Sequence, residues 1–505
     1  MSAFDWFAKW NVYNPEKIAV EEFETGRAFS FGELHRLGCF LAHDLIHKKG
    51  LKQGDRIAIL AENCLEYIAL FAAAQKTGLI LVPLNYRLTA REIDFLLSDS
   101  QPRLIIYDEK FKEKLEPSSH FKNAGFTLPM TRLEAFCRKF LSSGEEVEFN
   151  NIPFNENHPL FIIYTSGTTA FPKGSVYTHK MLLWNAINTE IRLDVTSDDR
   201  SINCAPPFHT GSWNVLMTPF FLHGATTIMM KGFDADAILQ IIEKEKISIF
   251  WGVPTMLKMM AESPVFDKAN LSSMRYIIVG GEAMPIPLIE LLHNRNIPIR
   301  QGYGLTEVGP NVTSLNHTDA IRKQGSIGTP NFFYQVKLVN EEGKELAGAA
   351  TGELLLKGPN VTPGYWNNPE ATEETIKDGW FHTGDRVRRD EDGFLFVVDR
   401  IKNMYISGGE NVYPAEVEYL LRQHPSIDHV AIVGVPDPKW GETGMAFVVL
   451  KKDGMLTKTE MLEYCRKNLA KYKIPGHIAF VEELPKNDAG KIDRKALKNF
   501  NPANQ

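Results

Sequence analysis

The chain has 505 residues, 44% of them hydrophobic and 23% charged, a composition typical of a globular protein with more than one domain. A formal net charge of −6 argues against a nucleic-acid-binding protein, because such proteins usually carry a basic surplus. The five cysteines lack the spacing of a metal or redox site, which fits a reducing compartment.

Targeting and membrane signals are weak throughout the sequence. Asp5 and Lys9 interrupt the N-terminal stretch where a signal peptide needs unbroken apolar residues. The longest apolar run, residues 67–84, is broken by Gln75 and Lys76 and is too short on either side for a membrane span. The final NPANQ carries no peroxisomal or retention signal. We therefore expect a cytoplasmic monomer or homodimer with no nucleic-acid partner and no integral membrane segment, while a peripheral membrane contact stays open.

Strand-like and helix-like runs alternate along residues 55–150 and again along 223–304. This alternation predicts parallel βαβ units. One of the helices, CLEYIALFAAAQKTG, is expected to end at Gly78, a residue suited to a C-cap. After about residue 325, short apolar runs separated by Gly, Asn and Asp predict a β-rich module, and a later helix is expected to open at Pro414. The predicted fold class is α/β: a large N-terminal body of βαβ-type subdomains plus this β-rich module, followed by a small mobile α+β C-terminal domain.

One polar loop follows an apolar strand and reads YTSGTTAFPKGS at residues 164–175. Backbone N–H groups, hydroxyls and a lysine on one loop can form a cradle for an anion such as phosphate. The loop is not a P-loop, because Pro172 precedes Lys173 where that motif requires glycine. On composition alone, an ordinary polar surface loop is the favoured explanation of the stretch, because Gly, Ser and Thr clusters usually mark such loops.

The order of its residues resembles the phosphate-binding loop of the acyl-adenylate-forming superfamily, which includes acyl-CoA synthetases, aryl-CoA ligases, luciferases and peptide-synthetase adenylation domains. The resemblance runs from near residue 15 to near residue 498. It implies a two-step reaction in which a carboxylate attacks the α-phosphorus of ATP and a thiol, usually of coenzyme A, then displaces AMP. Further segments that resemble the family follow in its order: GGEAMP (280–285), QGYGLTE (301–307), FHTGDR (381–386), DRIKNMYISGGENVYPAEVE (399–418) and LPKNDAGKIDRKAL (484–497).

The resemblance assigns the polar loop to the β- and γ-phosphates of ATP. Ala170 departs from the family, where glycine is usual, and we expect this change to affect rate rather than abolish function. The predicted phosphate ligands are Thr165, Ser166, Gly167, Thr168, Thr169 and Lys173.

The same resemblance places the nucleoside and the metal. Tyr303 would stack on adenine, Thr306 would bond the α-phosphate, and Glu307 would bind Mg²⁺ together with Thr165. Asp385 would accept hydrogen bonds from the ribose hydroxyls. In isolation, Tyr303 has a plainer explanation as a core residue, Glu307 as a solvated glutamate and Asp385 as a turn residue. The other predicted nucleotide contacts are Gly281, Glu282, Gly304 and Arg400.

The C-terminal segments supply the catalytic lysine and the swivel. Lys491 would bridge the substrate carboxylate and the α-phosphate, and Lys402 would lie at the hinge, while a solvated surface lysine is the plain alternative for Lys491. Gly408 and Gly409 would let the pantetheine arm of coenzyme A pass close to the backbone. The resulting domain prediction is a body at 1–398, a hinge at 399–403 and a C-terminal lid at 404–505.

The segment PPFHTGSWN (206–214) resembles the lining of the family's acyl pocket. His209 would lie between that pocket and the pantetheine tunnel, or else in the core. Trp213 would narrow the pocket, whereas Gly281 and Gly309 would leave room. Because no cation for a second carboxylate is evident, we expect an apolar monocarboxylic acid, first a medium- or long-chain fatty acid. An aryl or o-succinylbenzoate ligase, an enzyme that loads a separate carrier protein, and a degenerate nucleotide-binding regulator stay as alternatives.

Overall fold

The computed structural model describes residues 4–165, 172–281, 284–400, 403–407, 410–438, 440–469, 471–487 and 491–499. The chain forms two compact units. The first comprises residues 1–336 and 356–381, and the second comprises residues 337–355 and 382–505. The family-like hinge at 399–403 stays a prediction.

The N-terminal part of the first unit alternates helices and strands, and local signals set several helix ends. Ser30 with Glu33, and Thr89 with Glu92, each form a capping box at the start of a helix. Gly78 adopts a left-handed conformation (φ 68°) and ends its helix, as predicted. The elements are α1 (Trp6–Tyr13), β1 (Ile18–Glu22), β2 (Ala28–Ser30), α2 (Phe31–His43), β3 (Arg56–Leu60), α3 (Leu65–Thr77), β4 (Ile80–Pro83), α4 (Ala90–Ser100), β5 (Leu104–Tyr107), α5 (Lys112–Leu115), α6 (Ser119–Lys122), β6 (Phe126–Pro129), α7 (Met130–Ser143), β7 (Pro159–Thr165) and β8 (Lys173–Thr178).

The remainder of the first unit continues the same rhythm and then returns through short strands. Its elements are α8 (His179–Leu193), β9 (Arg200–Asn203), α9 (Thr218–His223), β10 (Thr226–Met229), α10 (Ala235–Glu245), β11 (Ile249–Gly252), α11 (Pro254–Glu262), β12 (Tyr276–Val279), α12 (Ile286–Asn294), β13 (Ile299–Leu305), β14 (Gly309–Leu315) and β15 (Thr329–Pro330).

Two large sheets organise this unit. One has the order β6-β5-β3-β4-β7-β8 and is parallel except for the final β7–β8 pair. The other has the order β15-β14-β13-β12-β11-β9-β10-β1-β2, with parallel pairing from β13 through to β1. The largest hydrophobic core includes side chains from α2, α3 and both sheets. Parallel strands buried on both faces are expected to be continuous apolar runs, which is how LILVPL and RLIIYD read.

A buried ion pair lies inside this core. Lys76, on the fully buried helix α3, donates to Asp5 Oδ2 at 2.7 Å, and both side chains are at most 2% exposed. Asn151 donates to the same Asp5 oxygen at 2.9 Å, and His35 Nδ1 lies 3.1 Å from the ammonium. The ammonium is therefore compensated by the N-terminal segment, as a buried charge requires.

The remaining elements are short strands followed by an α+β region. Strands β17, β16, β18 and β20 lie side by side, and β21 pairs with β20. Strands β23, β22, β25 and β24 form a further sheet in that order, with β26 on β25 and α14 and α16 packed against β24. The elements are β16 (Gln335–Val339), β17 (Glu345–Leu346), β18 (Ala350–Lys357), α13 (Pro369–Thr375), β19 (Ile376–Lys377), β20 (Trp380–Arg389), β21 (Leu395–Arg400), β22 (Tyr405–Ser407), β23 (Glu410–Val412), α14 (Pro414–Arg422), β24 (Ile427–Asp437), β25 (Gly441–Leu450), α15 (Lys458–Asn468), β26 (His477–Phe480) and α16 (Arg494–Lys498).

The predicted α/β class is confirmed, with parallel sheets in the body and a small C-terminal α+β region. The helix predicted to open at Pro414 does begin there. Within the described part of the chain, no helix combines the length and the apolar character that crossing a membrane requires.

Candidate active site

The polar loop joins the antiparallel strands β7 and β8, so its two ends lie opposite each other. Thr165 is the register partner of Lys173, and its hydroxyl lies 3.4 Å from the Lys173 carbonyl oxygen. The structure thus fixes the first hydroxyl and the cation of the loop on adjacent strands. The intervening predicted ligands lie outside the described residues: Ser166, Gly167, Thr168 and Thr169.

Glu307 meets this loop from a distant part of the sequence. It follows Thr306 in a short 3-10 turn at the end of β13. The Thr165 hydroxyl donates to Glu307 Oε1 at 3.4 Å, although the two residues are 142 positions apart. The backbone carbonyl of Glu307 accepts from the N–H of Thr362 at 2.7 Å, which fixes the turn. The structure therefore brings both predicted metal ligands together.

Tyr365 belongs to the same cluster and was missed by the sequence reasoning. Its hydroxyl donates to Glu307 Oε1 at 3.0 Å, and its ring centroid lies 5.4 Å from Lys173 Nζ, within the range of a cation–π contact. Its backbone forms an isolated bridge with Ser175, and its N–H donates to Thr372 Oγ1 at 2.9 Å. The sequence offers only a Pro-Gly turn signal before it, which marks a loop and does not say what the next side chain meets.

The cluster of Thr165, Lys173, Glu307 and Tyr365, called the corner cluster below, offers one carboxylate, two hydroxyls and one cation. Among the described residues, no group of three or more His, Cys, Asp or Glu side chains could hold a metal ion by itself. Mg²⁺ is usually bound by one or two carboxylates with waters and substrate phosphate oxygens. The donor set at this corner therefore fits magnesium held jointly with a phosphate group.

The predicted nucleoside contacts lie at the ends of β12 and β13, which are neighbouring parallel strands. Tyr303 is half-buried on β13. A Cβ at Gly304 would lie 2.3 Å from the carbonyl carbon of Pro310, so only glycine allows β13 and β14 to approach here. Gly281 has φ +87°, and among the described atoms a Cβ there would have Val253 as its neighbour, at 3.6 Å. The predicted contact Glu282 lies outside the described residues.

The proposed acyl-pocket segment follows β9. His209 is half-buried, with its ring centroid 4.6 Å from that of Phe208. Trp213, expected to narrow the pocket, is 1% exposed and donates from Nε1 to the Pro207 carbonyl at 2.8 Å. Its indole packs in the core against the ring of Phe161, with the two ring centroids 5.1 Å apart.

Gly309, expected to leave room in the acyl pocket, lies in a tightly packed place. It has φ +82°, and a Cβ there would lie 2.9 Å from Asn185 Oδ1 and 3.2 Å from the Tyr334 hydroxyl. The side chains of these two residues fill the space around it.

The second unit carries the predicted ribose ligand. Asp385, on β20, is 2% exposed, lies opposite Arg400 of β21, and donates from its N–H to Thr383 Oγ1 at 3.0 Å. Gly384 just before it has φ +65° and donates from its N–H to Glu353 Oε1 at 3.1 Å. The position of Arg400 is given by this strand pairing. Three predicted contacts lie outside the described residues: Lys402, Gly408 and Gly409.

Lys491, also in the second unit, lies exposed just before α16. Its N–H donates to Asn487 Oδ1 at 3.0 Å, and its carbonyl accepts from the Asn487 N–H at 2.7 Å. Three residues on, Arg494 binds the buried carboxylate of Glu418 through both terminal nitrogens, at 2.7 and 2.9 Å. Lys491 is thus tied by its own backbone to Asn487, and the helix that follows it is tied to Glu418 through Arg494, while the Lys491 side chain stays accessible.

Comparison with known proteins identifies the family of this chain and the class of reaction that it catalyses. Residues 7–366 match the model for the AMP-binding enzyme, and residues 416–491 match that for the AMP-binding enzyme C-terminal domain. The chain therefore belongs to the AMP-binding enzyme family. The curated relatives are acid–CoA ligases, and this chain is accordingly an AMP-forming acid–CoA ligase.

The relatives differ in the acids that their names specify. A feruloyl-CoA synthase of an Amycolatopsis species is 38% identical over 96% of both chains. A long-chain-fatty-acid–CoA ligase of Mycobacterium tuberculosis is 35% identical over 96% of this chain and 95% of that protein. The structure of an o-succinylbenzoate–CoA synthetase from Bacillus subtilis, in complex with ATP and magnesium ion, superposes with a TM-score of 0.86 at 30% identity over 98% of both chains.

Proposed function

We propose that this enzyme activates an apolar monocarboxylic acid with ATP as its acyl-adenylate and transfers the acyl group to coenzyme A. The observation that carries the proposal is the corner cluster. Its four residues come from three separate parts of the sequence and place a cation, hydroxyls and a carboxylate at the two ends of a hydroxyl-rich loop. This combination suits a triphosphate, whose negative charge needs fixed donors and a cation.

In this proposal, the side chains at the corner position the phosphates. Lys173 contributes a fixed positive charge beside the loop, and the Tyr365 ring beneath it holds the ammonium in place. The Tyr365 hydroxyl orients the Glu307 carboxylate. Glu307 and Thr165 would hold magnesium, which when bound would supply positive charge beside the phosphate groups.

The remaining assignments follow the family resemblance and are part of the proposal. Tyr303 would stack on the adenine, and Thr306 would bond the α-phosphate. Lys491 would neutralise charge between the carboxylate and the α-phosphate during adenylation. His209 would lie at the junction of the acyl and pantetheine sites. The other assigned contacts are Gly281, Glu282, Gly304, Asp385, Arg400, Lys402, Gly408 and Gly409.

The proposal is tested by acid-dependent exchange of pyrophosphate into ATP over a panel of acids, followed by addition of coenzyme A. Exchange with at least one acid, and thioester formation on adding coenzyme A, is the expected result. Absence of exchange with every acid would refute it, and exchange without thioester would indicate a carrier protein as the acceptor.

The role of Lys491 is tested by separating the half-reactions. Lys491→Ala should abolish exchange while preformed acyl-adenylate is still converted to thioester. Lys495→Ala removes a second exposed lysine from the same segment and serves as the matched control. Equal loss of both half-reactions in Lys491→Ala would contradict the assignment.

Two classes of acid are candidates for the first step. A medium- or long-chain fatty acid is the candidate from the sequence, supported by the absence of an evident cation for a second carboxylate and by the fatty-acid ligase relative. An aryl acid is the second candidate, supported by the feruloyl-CoA synthase relative and by a tryptophan at the end of β11.

A further inference from the structure

The topology of the larger sheet locates a crevice. The chain runs from β9 to its neighbour β10, crosses back to β11 on the other side of β9, and then continues outward through β12 and β13. The direction of winding therefore reverses between β9 and β11. In sheets of this kind, ligands bind at such a switch point, beyond the carboxyl ends of the strands.

Trp251 lies at this switch point, near the end of β11. A Cβ on Gly211, in the segment that follows β9, would lie 2.8 Å from Cη2 of the indole. A Cβ on Gly280, directly after β12, would lie 3.7 Å from the indole Nε1. The indole thus lies across the crevice between two residues that have no side chain. It fills the volume that a side chain at position 211 would need.

Little room remains behind the indole. Trp251 packs against a closely buried apolar face, in which Ile249, Tyr276 and Ile278 are each at most 3% exposed. A cavity of about 10 Å³ borders both Gly211 and Trp251, a volume that holds about one water molecule.

The walls of this cavity are partly polar. They include Ser201 and Thr227, register partners on β9 and β10 whose buried hydroxyls have no hydrogen-bond partner among the described atoms. An alkyl chain entering here would find too little volume and would leave these hydroxyls facing methylene groups, which is unfavourable.

We propose that Trp251 ends the acid pocket at Gly211 and makes the enzyme select compact, ring-bearing acids over extended alkyl chains. This inference rests on the proposed function and names the substrate class of that site. A flat ring that reaches this wall gains aromatic contact with the indole, and neither Gly211 nor Gly280 has a side chain that would block it. The end of a long alkyl chain needs the volume that the indole fills, so it fits only when the indole is removed.

The test compares 3-phenylpropenoic acid with hexanoic and dodecanoic acids in the pyrophosphate exchange assay. The wild type should favour the aryl acid over dodecanoate by at least about tenfold in kcat/KM, the scale on which pocket size discriminates. Trp251→Ala should shift that ratio toward dodecanoate by about tenfold or more. Trp184→Ala, which removes a different indole packed on Phe333, is the matched control and should leave the ratio unchanged.

A second pair of variants tests the geometry. Gly211→Ala forces the indole to move and should lower kcat/KM for the aryl acid, whereas the same change in a Trp251→Ala background should cost much less, because the collision is gone. Trp251→Leu keeps an apolar cover over the cavity and provides the reading on chain length if the alanine variant is unstable.

A wild-type preference for dodecanoate, or an unchanged acid ratio in both Trp251 variants, would overturn the inference while leaving the ligase assignment intact. Absence of exchange with every acid in the wild type would instead refute the proposed function, and this inference with it.

Discussion

Substitution of Tyr365 by phenylalanine isolates the contribution of one hydroxyl to the corner cluster. The hydroxyl donates to Glu307 Oε1 at 3.0 Å, and the ring lies beneath Lys173 Nζ. Tyr365→Phe keeps the ring and removes the hydrogen bond. Bonds to charged groups contribute about 1.5–3 kcal/mol. When the hydrogen bond contributes only in the complex in which Glu307 binds metal and phosphate, its loss lowers kcat/KM for ATP by about 10- to 150-fold.

The assay is pyrophosphate exchange at a saturating acid concentration, with ATP and magnesium titrated separately. We expect the magnesium concentration for half-maximal rate to rise in Tyr365→Phe, because the Glu307 carboxylate is less well oriented. Tyr164→Phe is the matched control: it removes a tyrosine-to-carboxylate bond of 2.6 Å, to Asp99, from the strand that leads into the same loop. Activity of Tyr365→Phe within twofold of the wild type, or an equal loss in Tyr164→Phe, would refute the reasoning.

Three further substitutions test packing and charge. Gly304→Ala places a methyl group 2.3 Å from the carbonyl carbon of Pro310, so the turn that carries Glu307 must shift, and exchange activity should fall by more than about tenfold. Glu418→Gln leaves the guanidinium of Arg494 without its buried carboxylate; unfolding in urea should show the second unit destabilised by about 3–5 kcal/mol, and protease should cut faster near Lys491. Burial raises the pKa of Glu190 to about 7 from an ordinary 4.5, so the folded protein favours the protonated carboxyl. The stability that this carboxyl allows is fully present below pH 4.5 and is lost as the pH rises through 7, because the buried group then ionises. Glu190→Gln should therefore raise the free energy of unfolding, measured in urea, by about 2–3 kcal/mol at pH 8 and by less than half of that at pH 5.

Local signals predicted the secondary structure well where they act over a few residues. The turn at Gly78 and the helix start at Pro414 depend on backbone geometry that one residue imposes, and both were found as predicted. Pairing between distant strands carries no such local signal. The register of β1 with β10, in which Val20 lies opposite Thr227, depends on which apolar faces meet in the assembled core.

The candidate site shows the same limit. Thr165 and Glu307 were predicted as site residues from motifs, and the structure places them in contact. Tyr365 and Trp251 were missed because an aromatic residue after a turn, or at the end of an apolar strand, is most often a core residue. Their importance comes from what they meet: a carboxylate 58 positions away for Tyr365, and a glycine for Trp251.

The salt bridge between Asp5 and Lys76 has a practical consequence for anyone who shortens or tags this protein. A version that begins after Asp5 would strand an ammonium group in an apolar interior, at a cost of about 3–5 kcal/mol. Expression trials of a version that begins after Asp5 should therefore exchange Lys76 for methionine in the same step, and an affinity handle at this end needs a spacer so that Asp5 can still reach Lys76.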